Sequence, residues 1–230
     1  MVRFYFYIRS SAHRTQRGAD YSPGSYFLIN ISLGGVLFSI FIPPFLHRPV
    51  AGFFDFILMG EYEYTLRDLV RTLDKGRDLK EVQGLAYRSK GKVHVNERRP
   101  LIQNLDELPW PARHFLPMMR YNDAFAGMGI PNVQMWASRG CPFHCVFCAW
   151  PRIMYGGSNY RTRSPSDVVD EMEWLVQKYH FKSVYFDDDT FNIGKDRIKT
   201  ICSEIKERKI GVPWAAMARA DTGDREMLEA

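Results

Sequence analysis

The sequence predicts an α/β fold built on parallel strands with crossover helices, and three observations carry that reading. From residue 133 onward, strand-like and helix-like stretches alternate three times: strands at 133–138, 183–187 and 213–220, helices at 166–179, 195–209 and 224–230. The helical stretches keep their apolar residues on one stripe: Val168, Val169, Met172, Leu175 and Val176 in the first, and Ile198, Ile201, Cys202 and Ile205 in the second. The middle strand, Ser183–Phe186, is bounded by polar residues and ends in Asp187-Asp188-Asp189. That run falls at the carboxyl end of a parallel strand, where ligands and reactive groups collect in such sheets.

The rest of the chain follows in order. Of its 230 residues, 46% are hydrophobic and 25% charged, within the range of a globular protein with one large or two small domains. The net charge of +5 is concentrated at the start: residues 1–50 hold Arg3, Arg9, Arg14, Arg17 and Arg48 against Asp20 alone. The remainder is nearly neutral, which argues against a nucleic-acid-binding surface. Tyr21–Leu46 has no charged residue and is long enough for a membrane span, but Gly34-Gly35 and Pro43-Pro44 interrupt it. Two buried strands around the glycine pair fit the stretch as well, and membrane association is less favoured than buried or irregular structure. Domain boundaries are expected at 1–50, a poorly patterned segment; 51–112, an α/β remnant and linker; and 113–230, the alternating unit.

Within the second segment, Phe54–Met59 reads as a buried strand ending at Gly60. Glu61–Leu73 reads as a helix with Leu66, Leu69, Val70 and Leu73 inward and Gly76 as its stop. Val82–Arg88 and Lys92–Val95 read as a hairpin across Ser89-Lys90-Gly91. Leu105–Arg113, with two prolines, reads as an extended linker. Ser166 is the expected N-cap of the helix that follows.

The chemistry concentrates in Cys141-Pro142-Phe143-His144-Cys145-Val146-Phe147-Cys148. Three of four cysteines lie within eight residues, spaced C-x3-C-x2-C. Three thiolates from one loop suit an Fe–S cubane with one open iron. Zinc would require a fourth ligand, for which His144 is the local candidate beside Cys145. Unliganded thiols are the third alternative; a disulfide would leave an odd cysteine. The clustering argues against a secreted disulfide scaffold and for a reducing, cytoplasmic compartment. Cys202, at helical spacing among isoleucines, reads as a small core residue. Arg161 and Arg163 read as surface residues or contacts for an anionic ligand. No phosphate loop and no nucleophile–base pairing is evident.

C-x3-C-x-Phe-C after a strand and Arg139-Gly140 resembles the radical S-adenosylmethionine (SAM) superfamily. Gly60-Glu61 with Glu63, Thr65 and Leu66, then Gly84–Arg88 with Gly91–Val93, Leu105–Arg113 and Phe186–Phe191, resembles its cobalamin-type class. That class includes anaerobic magnesium-protoporphyrin ester cyclases and many methyltransferases. The resemblance implies the first half of a radical SAM partial (β/α) barrel, preceded by the remnant of a doubly wound cobalamin-binding-like domain, and a chain truncated at both ends. It implies a [4Fe–4S] cluster on Cys141, Cys145 and Cys148, with SAM on the open iron and one-electron cleavage to a 5′-deoxyadenosyl radical. It implies Phe147 near the adenine, and Asp187, Asp188 and Asp189 near the SAM ammonium, with Asp188 or Asp189 preferred. Arg219 would meet the SAM carboxylate or one of these aspartates. Cobalamin is implied as a further cofactor, although no D-x-H-x-x-G ligand motif is present. The expected partners are a small-molecule substrate and an electron donor such as ferredoxin or flavodoxin. A non-catalytic zinc- or Fe–S-binding interaction module is the alternative.

Overall fold

The pairing of strands divides the chain in a computed structural model, which describes residues 5–7, 29–33, 36–40, 54–121, 127–148 and 154–230. Two units result: Met1–Ile102 with Arg152–Gly157, and Gln103–Pro151 with Ser158–Ala230. The linker from 103 to 112 therefore folds with the second unit.

The first unit holds a six-stranded sheet of β1 (Tyr5–Tyr7), β2 (Ile29–Leu33), β3 (Val36–Ile40), β4 (Phe56–Leu58), β5 (Leu85–Ser89) and β6 (Lys92–Val95), in sequence order. Strands β2 and β3 lie where the sequence reading put a pair around Gly34-Gly35; most of 1–50 lies outside the described residues. Only β3 and β4 pair in parallel; the other neighbours are antiparallel. Successive residues of β4 face opposite sides. Leu58 packs with Leu69, Val82, Leu85 and Tyr87, while Ile57 packs with Phe54, Met59 and Ala86. The expected hairpin is present, closed by Lys90 and Gly91, both at positive φ. Two consecutive left-handed residues match the turn to the strands' twist.

Helix α1 (Glu63–Asp74) turns a different face inward from the one expected. Leu69 is buried, but Val70 and Leu73 are exposed; Thr65 and Thr72 are buried instead. The polar anchors decide this rotation. Thr65 Oγ1 donates to the Gln83 carbonyl at 3.0 Å, and Arg99 reaches Thr65 Oγ1 at 3.2 Å and Asp68 at 2.5 Å. Gly84 permits the approach: its φ of +75° lies in the left-handed region, and a Cβ there would stand 2.7 Å from Thr65 Oγ1. Glu61, just before the helix, is buried and accepts the Ile102 N–H at 2.8 Å.

The second unit holds a parallel sheet of β7 (Asn132–Met135), β10 (Ser183–Phe186) and β11 (Trp214–Ala216), with β10 central. All four residues of β10 are buried, as a strand covered on both faces requires. Between β7 and β10, β8 (Ser138–Arg139) pairs antiparallel with β9 (Arg161–Thr162), so the expected strand 133–138 breaks after Met135. Helices α2 (Pro165–Tyr179) and α3 (Lys195–Glu207) share one core with Val133, Met135, Val184 and Phe186. A short α4 (Arg225–Glu229) is capped by Asp224. The N-cap of α2 is Ser164, not Ser166: its side chain accepts from Asp167 N, and Pro165 takes the first helical position, where its missing N–H costs nothing. Cys202 is a core residue as expected. Among the described residues, no helix is long and apolar enough to cross a membrane.

A buried ionic network pins residues 105–115 to α2. Arg113, Arg163 and Glu171 are 5%, 3% and 1% exposed. Glu171 receives Arg113 Nη1 and, at 2.6 Å, Arg163 Nη1; Arg163 also bonds Asp167 at 2.6 Å and the Trp136 carbonyl at 2.8 Å. Trp110 Nε1 donates to Asp167 at 3.0 Å. The stretch read as an extended linker is thus docked, with short helical turns at Leu105–Glu107 and Arg113–Phe115. Arg163 is thus not a surface residue: its guanidinium is buried and bonded to Asp167, Glu171 and the Trp136 carbonyl.

Glu171→Ala leaves two guanidinium groups buried without their shared carboxylate. It should destabilise the protein by about 3–5 kcal/mol in denaturant unfolding. Arg208→Ala, which breaks contacts with Asp170, Glu173 and Glu204 at a site 28% exposed, should cost no more than about 1 kcal/mol.

Candidate metal centre

In a parallel sheet, the segments leaving the strands' carboxyl ends converge on one edge. Here these are 136–148 after β7, 187–192 after β10 and 217–221 after β11. Hydrogen bonds tie them together. Asp188 is 3% exposed and accepts the Ala137 N–H at 3.1 Å and the Ser138 hydroxyl. Asp189 accepts the Gly140 N–H at 2.9 Å. Thr190 Oγ1 lies 3.3 Å from Cys141 Sγ and donates to the Asp189 carbonyl at 2.6 Å. The aspartate run therefore meets the start of the cysteine loop.

The three aspartates do different work. Asp188 serves the backbone exit of β7, so both its oxygens are engaged within the protein. Asp189 is half-buried against Gly140. Asp187 is exposed, and its own N–H extends the sheet by donating to the Met135 carbonyl at 2.8 Å. Burial raises all three carboxyls above the ordinary aspartate value; for Asp188 it outweighs the opposing Ser138 and Ala137 hydrogen bonds and lifts the group from 3.8 to about 6. Burial likewise raises Tyr160, against the opposing pull of Arg197 and Ser138.

Cys141, Cys145 and Cys148 are free and half-buried, and the Cys148 N–H donates to the Cys145 carbonyl at 3.1 Å, closing a turn. Phe143 lies under Arg219, whose Cζ is 4.0 Å from the ring centre. Arg219 Nη1 donates to Cys145 Sγ at 3.4 Å, and its Nε bonds Asp221 at 2.8 Å. Arg219 thus pairs with Asp221 and not with any of the three aspartates. His144 stands 2.8 Å from Ser158 Oγ through one ring nitrogen. Val146 and Phe147 are 100% and 90% exposed.

Among the described residues, no group of three His, Cys, Asp or Glu side chains is gathered on one point as a formed metal site. The donor set nonetheless fits an Fe–S cluster: three soft thiols, free, on one loop, with side-chain hydrogen-bonding partners at two of the sulfurs. It fits closed zinc less well, because His144 is turned to Ser158.

Sequence reading singled out the cysteines, the aspartates and Arg219 as candidates. It missed Ser138, Thr190 and Asn192. Asn192 clamps the backbone of Arg219, accepting its N–H at 2.9 Å and donating to its carbonyl at 2.8 Å. Thr190 and Asn192 follow the aspartates directly after a parallel strand, and that position was the available signal.

No protein-family model matches the chain. In sequence it is 39% identical over 176 residues to an uncharacterized methyltransferase of Pyrococcus horikoshii, covering 76% of this chain and 37% of that protein. It is 31% identical over 198 residues to the anaerobic magnesium-protoporphyrin IX monomethyl ester cyclase of Rubrivivax gelatinosus, covering 81% and 33%. The chain thus spans about a third of the length of these relatives. In fold it is similar to the radical SAM methyltransferase TsrM from Kitasatospora setae, solved with tryptophan substrate and a SAM analogue. That match has a TM-score of 0.57 at 20% identity, covering 80% of this chain and 37% of that one. TsrM solved with cobalamin and a [4Fe–4S] cluster matches at 0.54 and 18%, covering 76% and 35%.

Burial of Asp188 gives folding a pH dependence. An acid raised in the folded state contributes stability below its unfolded value and loses that contribution as pH rises through the folded value. Wild-type stability should fall by roughly 2–3 kcal/mol between pH 4 and pH 7 from this group, at 1.36 kcal/mol per unit. Asp188→Asn should remove that part of the fall, as read in denaturant unfolding across the range.

Proposed function

We propose that this chain, a relative of the cobalamin-type radical SAM methyltransferases and ester cyclases, carries the cluster- and SAM-binding edge of such an enzyme. The observation that carries the reading is the cysteine loop held to the aspartate run: Gly140 on Asp189, Cys141 beside Thr190, and Ala137 and Ser138 on Asp188. Cys141, Cys145 and Cys148 would be the three cluster ligands. When bound, a [4Fe–4S] cluster with SAM supplies reductive cleavage of SAM, the start of methyl transfer, cyclisation or hydrogen abstraction.

The chain's own residues divide the remaining tasks. Asp188 and Asp189 hold the backbone that presents the loop. Asp187, exposed at the same edge, offers the carboxylate free to face a SAM ammonium. This assigns to Asp187 a contact that Asp188, spent on Ala137 and Ser138, is poorly placed to make. Phe147, with most of its ring exposed, offers the flat apolar face that an adenine would cover. The substrate is proposed to be a small molecule, with cobalamin as a further cofactor of the whole enzyme. The electron would come from a donor such as ferredoxin or flavodoxin in the cytoplasm.

Anaerobic reconstitution with iron and sulfide should give a brown protein with a broad charge-transfer band. Cys141→Ala, Cys145→Ala and Cys148→Ala should each lose most of the bound iron, while Cys202→Ala, in the core, should keep it. Stoichiometric zinc in natively purified protein, with no iron or sulfide taken up, would overturn the reading.

A further inference from the structure

The cysteine loop has one cationic neighbour whose placement is over-determined. Arg219 lies just beyond β11; its guanidinium is restrained from two directions and its backbone from a third. Asp221 takes the Nε–Nη2 edge, at 2.8 Å to Nε. The Phe143 ring lies 4.0 Å below Cζ. Asn192 fixes the backbone through both its N–H and its carbonyl. Nη1 is directed at Cys145 Sγ, 3.4 Å away. A planar fork held bidentately on one edge can present its remaining nitrogen in a fixed direction, which a flexible ammonium cannot do.

We propose that Arg219 is a positioning and tuning residue for the metal centre, donating a hydrogen bond to the sulfur of Cys145 and so raising the reduction potential of the cluster. The proposal rests on the cluster reading above. It replaces a role for Arg219 in gripping a ligand carboxylate, because the edge suited to a carboxylate is already occupied by Asp221. A donor bearing positive charge stabilises the more electron-rich, reduced state of a thiolate-bound cluster, and hydrogen bonds to sulfur are among the levers that set such potentials. At Cys141 the neighbouring group is the neutral Thr190 hydroxyl, whose single proton goes to the Asp189 carbonyl, so it offers that sulfur no comparable donor. The two sulfurs are therefore unequally supported, and Cys145 carries the cationic contact.

The test is a redox titration of the reconstituted protein, followed by electron paramagnetic resonance of the reduced cluster, alongside iron and sulfide analysis. Arg219→Gln should retain its iron and show a midpoint potential more negative than wild type. If Arg219→Gln sheds its iron, the comparison is made with Arg219→Lys, which lacks the planar fork that aims one nitrogen at Cys145 while Asp221 holds the other edge, and should again lower the potential. A full iron complement with an unchanged potential in the variant would overturn the role of Arg219 while leaving the cluster reading intact. A wild-type protein that takes up no iron and sulfide would overturn both.

Discussion

The second unit depends on a carboxylate that is almost entirely withdrawn from water. Asp188 closes the gap between the end of β10 and the exit of β7 by accepting from Ala137 and Ser138. A buried carboxyl is costly unless its acceptor capacity is used, and here the partners are the residues where the chain leaves the parallel sheet. Fixing Ser138 fixes β8, and β8 pairs with β9, so the loop between them is held at both ends. The cysteines lie on that loop. One desolvated group thereby converts a sheet edge into a defined platform for three thiols.

The buried ionic network does comparable work on the other side of β7. Arg113 reaches the Gln134 carbonyl and Arg163 the Trp136 carbonyl, at 3.0 Å and 2.8 Å. Both guanidinium groups meet again on Glu171 of α2. The segment before the sheet, the first strand and the first crossover helix are thus cross-linked by charge-assisted bonds, which are strong and directional where water is excluded. Breaking one member would strand the others, so the arrangement favours a single register of linker and helix.

Much of this was legible in the sequence because it depends on local pattern. The alternation of strands and helices from 133 onward, the apolar stripes of α2 and α3, and the Lys90-Gly91 turn all express short-range periodicity or backbone preference. So does the C-x3-C-x2-C spacing, since three ligands on one loop need no long-range information to be recognised. The failures share a different cause. The inward face of α1 was assigned from its leucines and valine, but Thr65 and Arg99 supply hydrogen bonds that rotate the helix. Leu105–Arg113 has the prolines of a linker, and only the pairing of Trp110 and Arg113 with α2 shows it to be docked.

The sequence by itself determined the alternation of the three parallel strands with their helices and singled out the residues that could ligate metal, because periodicity and spacing are properties of neighbours along the chain. The antiparallel β8–β9 pair was not among the elements so read. Tertiary structure decided the division of labour among Asp187, Asp188 and Asp189. Adjacent residues of like chemistry are indistinguishable in sequence, yet alternation and burial send one to solvent, one to Ser138 and one to Gly140. It decided also that Arg163 is structural and that Arg219 faces Cys145 and Asp221 rather than any of Asp187, Asp188 and Asp189. Those outcomes depend on which backbone amides, carbonyls and carboxylates a guanidinium meets across tens of residues, where only folding brings donor and acceptor within about 3 Å.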